Sequence, residues 1–146
     1  MPVHAVNTNG FPLAATIIMI LPMFYFLFTS LTFFLRKLND PVVTWLLRGL
    51  FDTYFIAVIA CCVLGILAFV LAGRPAIATG IGLIAAIAFG ARRWFLQQLD
   101  LQIHARDAGD ADAVRRLRRL HVGGILYNAV QTSLIIASIP HVFATA

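Results

Sequence analysis

RRWFLQQLDLQIHARDAGDADAVRRLRR, from Arg92 to Arg119, holds seven of the eleven basic residues of this chain and lies between two long apolar segments. Arg36, Lys37 and Arg48 fall between another apolar pair, and Arg74 stands by itself between the second and third segments. Short membrane loops retain their positive charge on the cytoplasmic side. The pattern therefore predicts an integral membrane protein with the 36–48 and 92–119 loops in the cytoplasm. The Gly73-Arg74-Pro75 turn and both termini then lie outside it.

A hydrocarbon core about 30 Å thick needs roughly 20 apolar residues per crossing helix. Four stretches meet that length, at about 11–35, 50–72, 75–96 and 118–139, in a chain of 146 residues that is 61% hydrophobic. The expected fold is all-α, one four-helix transmembrane bundle over residues 1–146, in a bacterial inner membrane. Residues 1–10 carry no Lys or Arg, and the apolar run after them is too long for a signal core, so the first span is expected to stay in the protein. The net charge of +5 is accounted for by loop placement, which excludes a nucleic-acid partner. The excess positive charge suits anionic lipid headgroups.

Within Arg92–Arg119, Trp94, Phe95, Leu96, Leu99, Leu101 and Ile103 alternate with polar residues in a helix-compatible way. Asp107-Ala108-Gly109-Asp110 is the break, and Val114, Leu117 and Leu120 resume the pattern. Helices three and four should thus extend into a cytoplasmic hairpin turning near Gly109. Counting outward from Gly109 places Asp100 and Arg118 at one height, which predicts a salt bridge worth about 0–1 kcal/mol if exposed. Leu38-Asn39-Asp40-Pro41 reads as a turn and a helix start. A short interfacial helix from Pro41 to about Gly49 would hold Trp45 at headgroup depth.

The third span carries Gly82, Ala86 and Gly90 at intervals of four. Small residues at that spacing let helices approach closely in lipid. The stripe is read as a packing seam inside the bundle, with a seam between copies of the chain as the second reading. On the fourth span, His121, Gly124, Asn128, Gln131 and Ile135 share one face. On the first, Pro22, Tyr25, Thr29 and Thr32 repeat similar spacing. Counts from the helix ends bring Tyr25, Thr29, Asn128, Gln131 and Thr132 to one depth near the membrane midplane. An unpaired amide in hydrocarbon is costly, so this cluster must face inward. It either bonds helices to one another or orients a lipophile such as a quinone, lipid or porphyrin.

No acid, base or activated nucleophile joins the cluster, so no catalytic residue is expected. His4 and His141 fall on the outer side and His104 and His121 on the inner side, at the wrong depth to ligate a haem in the bundle. Asp100 and His104, one turn apart, are placed to pair locally. Adjacent Cys61 and Cys62 read as small packing residues. No metal and no cofactor is expected, haem and quinone being the alternatives.

The closing segment, Arg116-Leu117-Arg118-Arg119-Leu120-His121 and then Leu126-Tyr127-Asn128-Ala129-Val130-Gln131, resembles a group of uncharacterised four-helix bacterial membrane proteins. They are loosely related to the copper-resistance D-like superfamily. The Arg106-Asp107-Ala108-Gly109-Asp110 turn, the Leu-His pair and the Asn-x-x-Gln pattern carry the resemblance, which covers the last third of the chain. The superfamily's haem-associated members have a histidine in the first helix, where this chain has none, and the group implies no firm activity. The leading expectation is an accessory, assembly or scaffold subunit of a bacterial inner-membrane complex, partnered by lipids and by other membrane-protein subunits or further copies. A redox or lipophile-binding protein is the alternative, and an oligomeric channel or transporter the third reading.

Overall fold

The computed structural model describes the backbone of residues 10–144 and the side chains of residues 13–140, so the placements expected for His4 and His141 lie outside the described side chains. Four helices make up the fold: α1 (Gly10–Phe34), α2 (Pro41–Leu71), α3 (Pro75–Asp107) and α4 (Ala113–Ala144). Each is long and apolar enough to cross a membrane, and the described residues contain no strand.

Capping chemistry sets the helix ends. Asp40 accepts a hydrogen bond from the Val42 amide at 2.9 Å, and Pro41 opens α2 with the φ a first turn needs. The interfacial helix expected over 41–49 and the second span are one continuous helix of 31 residues. Gly49 does not break it, because one internal glycine costs a helix only about 1 kcal/mol relative to alanine. The two helix–helix turns that follow share one device. Arg74 N–H bonds to Phe69 C=O across Gly73 (φ 72°), and Asp110 N–H bonds to Ala105 C=O across Gly109 (φ 90°). Both glycines adopt the left-handed conformation that a side chain disfavours.

The helices form a ring in which α1 packs on α2 and α4, and α3 packs on α2 and α4. The turns α1–α2 and α3–α4 lie at one end, and ten of the eleven basic residues and all six aspartates lie toward it. Aromatic rings fill the middle. Phe51 of α2 meets Phe26 of α1 at 5.2 Å and Phe95 of α3 at 5.3 Å between ring centroids. Gly124 of α4 completes the layer. A Cβ at that position would sit 2.3 Å from the Phe51 ring, so only glycine admits this approach.

Two expectations are corrected here. The inward face of α3 is Ala78, Ile81, Ala88, Phe95 and Leu99, whereas Gly82 is half-buried and Ala86 and Gly90 are exposed. The Gly82-Ala86-Gly90 line is rotated off the packed face, because Phe95 and Leu99 bury more apolar surface than the glycines and set the phase of the helix. The Asp100–Arg118 salt bridge does not form either. Arg118 is exposed, and Asp100 bonds to Arg48 of α2. The hairpin register is carried by Gln102 and Arg116, which stand equally far from Gly109 and meet at 2.5 Å. Asp100 and Arg118 share a height as well, but two residues rotate a helix by about 200°, which takes Arg118 off the facing side.

Candidate functional site

Tyr54 of α2 is the centre of the buried polar cluster, at 2% exposure, with Asn128 at 1% and Gln131 at 7%. Asn128 Nδ2 donates to the Met23 carbonyl of α1 at 3.1 Å. That bond orients the amide and turns Asn128 Oδ1 toward Tyr54 Oη, 3.0 Å away. The Gln131 amide oxygen also stands 3.0 Å from Tyr54 Oη. One hydroxyl hydrogen cannot serve two carbonyl oxygens. Asn128 is already fixed, so the Gln131 amide is the group to be turned over, with Nε2 donating to Tyr54. The turn also gives a bond to Gln131 Nε2, which otherwise has no partner. Three helices, α1, α2 and α4, are tied at this point.

The expected cluster is thereby redrawn. Asn128 and Gln131 come together, but Tyr25 is 60% exposed and turns away from them. The inward face of α1 is Met19, Met23, Phe26 and Ser30, one position off Tyr25. Thr29 is half-buried and its carbonyl accepts from Thr32 Oγ1 at 2.7 Å. Thr132 is half-buried, with a buried Oγ1 that has no hydrogen-bond partner among the described residues. Tyr54 was legible only as a phenol on the otherwise apolar Leu47, Phe51, Val58, Cys62 face, a group that needs a partner when buried. The depth also shifts. Tyr54 is two residues, about 3 Å of rise, from Asp52, which pairs with Arg92 at 2.6 Å. On α2 the cluster lies at the border of the charge-free segment instead of at its centre.

His121 lies one turn from Gly124, 1% exposed, against the rings of Phe33 and Phe34 at 6.1 and 5.1 Å. Its Nε2 has no partner among the described residues. His104 bonds through Nδ1 to the Asp100 backbone carbonyl at 2.7 Å, so the expected local pair forms through the main chain and not the carboxylate. Facing a carbonyl, that nitrogen carries the proton. Cys61 and Cys62 are free thiols, and no three potential metal ligands gather among the described residues.

At the charged end every aspartate is engaged. Arg48 grips Asp100 with two bonds, Nε to Oδ1 at 2.5 Å and Nη2 to Oδ2 at 3.0 Å, and so links α2 to α3. Arg92–Asp52 repeats that link. Arg106 holds Asp107 and donates to Thr44 Oγ1, Arg115 holds Asp112, Arg116 holds Asp110, and Asp40 caps α2. Arg116 beside it, then the Asp112 amide, hold the Asp110 carboxyl below the usual carboxylate range. Arg36, Lys37, Arg93, Arg118 and Arg119 are exposed and have no carboxylate partner among the described residues.

Two cavities open beside Trp45. One, of about 330 Å³, lies between the start of α2 and the end of α3 and is walled by Arg48, Asp100, Arg106 and Asp107. The other, of about 380 Å³, is a groove between α1 and α2 walled by Tyr25, Thr29, Phe33, Leu50 and Thr53. Trp45 borders both. Tyr25 and Thr29 therefore line an outer groove, apart from the amides of α4. Compared with known proteins, the chain matches no family model, and no curated protein or solved structure matches it significantly.

Proposed function

We propose that this chain is a non-catalytic subunit, with an accessory, assembly or scaffold role, of a bacterial inner-membrane complex, its charged end in the cytoplasm. The observation that carries the reading is the Ala86–Gly90 part of the small-residue stripe of α3: Gly82 is half-buried beside Ile66 of α2, but Ala86 and Gly90 are exposed, and nothing lies within 4 Å of a Cβ built at Gly90. In lipid such a stripe suits a helix of another subunit or of a second copy. The amides and phenol that could orient a quinone or porphyrin are bonded to one another and to Met23, which favours a structural role for them.

Crosslinking through a cysteine at position 86, in native membranes, tests this. The reading expects a crosslinked species that Gly90→Leu abolishes while the thermal stability of the purified chain stays unchanged. No crosslink, or a Gly90→Leu chain that loses stability, overturns it. Orientation is tested by labelling cysteines placed at 74 and 109 in intact cells, with label expected from outside at 74 alone.

A further inference from the structure

We propose that the two cavities flanking Trp45 bind one zwitterionic phospholipid, with a phosphoethanolamine headgroup in the charged cavity and the glycerol and upper acyl chain in the α1–α2 groove. Depth comes first. The apolar run of α1 ends at Leu35, followed at once by Arg36 and Lys37, and the short turn to Pro41 brings the start of α2 to the same level. At that level α2 exposes Val42 (64%), Trp45 (71%) and Leu46 (49%). Apolar side chains with an indole, laid beside the first charges, mark the membrane–water boundary. Headgroups occupy this layer.

Charge comes next. The headgroup cavity holds two guanidinium groups, Arg48 and Arg106, and two carboxylates, Asp100 and Asp107. Their sum is zero, unlike the net positive end around them. The internal pairing leaves valences of both signs open. Arg48 uses Nε and Nη2 on Asp100, so Nη1 is free for a phosphate oxygen. Arg106 places Nε and Nη2 on Asp107 Oδ1, so Oδ2 is free for an ammonium. A phosphate joined to a primary ammonium answers both. An anionic glycerol headgroup brings no cation to Asp107. A choline headgroup brings a cation with no N–H to donate. Beyond Trp45, Phe33, Leu46 and Leu50 supply the apolar wall for the upper chain, and the groove continues inward past Thr29 to Tyr25.

The test is lipid retention by the full chain. The protein is reconstituted in vesicles of equal parts phosphatidylethanolamine, phosphatidylcholine and phosphatidylglycerol, re-extracted in mild detergent, and its bound lipid quantified by mass spectrometry. The expected result is about tenfold enrichment of phosphatidylethanolamine over each of the others, the scale of one charge-assisted hydrogen bond. Asp107→Asn should reduce that preference to near parity with phosphatidylcholine while helicity and melting temperature are kept. Trp45→Ala should lower total retained lipid. Equal retention of the three lipids, a preference for phosphatidylglycerol, or an unchanged preference in Asp107→Asn overturns the proposal.

Discussion

Gly124 of α4 faces the ring of Phe51 of α2 so closely that a Cβ on it would lie 2.3 Å from two ring carbons. The helices are opposite members of the ring and meet here through one missing side chain. Gly124→Ala should therefore destabilise the bundle despite its better helix propensity, by about 1–3 kcal/mol of overpacking. A thermal unfolding curve in detergent measures it, and Phe51→Leu in the same chain should restore part of the loss. Gly123→Ala is the control, since a Cβ there meets nothing within 4 Å.

The polar tie makes an asymmetric prediction about two tyrosines. Tyr54→Phe deletes the hydroxyl shared by Asn128 and Gln131 and should cost about 0.6–2 kcal/mol, the range of interhelical hydrogen bonds in lipid. Tyr25→Phe, on the exposed face of α1, should leave stability unchanged. Equal melting temperatures for the two variants would contradict the assignment.

At the charged end, Arg48 and Asp100 should be coupled, and Asp100 and Arg118 should not. Both members of the observed pair are more than a third exposed, 37% and 39%, so screening holds the coupling to at most about 1 kcal/mol even with bidentate geometry. Double-mutant cycles with Arg48→Ala, Asp100→Ala and Arg118→Ala separate the two cases. Added salt should shrink the first coupling.

Asp110 gives the hairpin turn a pH dependence of known sign. Its carboxyl titrates below the usual range in the folded chain because Arg116, then the Asp112 amide, favour the anion. Its contribution is therefore present above the unfolded carboxylate value, about 4, and is lost as pH falls through the lower folded one. Amide exchange at 112–116, corrected for intrinsic rate, should quicken over that acid window in the parent chain. Asp110→Asn should be quick throughout and flat.

How much of this was legible in the sequence follows from where its information lies. The charge blocks and apolar runs determined four helices and their order, but not that α2 runs unbroken from Pro41 through Gly49. Spacing alone put Asn128 and Gln131 on one face, and Gly109 at the hairpin turn. The sequence by itself did not determine which way each helix turns. α1 has no charged residue, and apolar side chains surround it, so Tyr25 on the outside and Met23 on the inside look alike in one dimension. In water a polar face marks the exterior, but lipid is as apolar as the core, and rotation about the axis is then decided by shape and by hydrogen bonds. Only the tertiary structure settled it: Phe51 against Gly124, Phe95 and Leu99 turning the small stripe of α3 outward, and Tyr54 reaching the amides that Tyr25 was expected to meet.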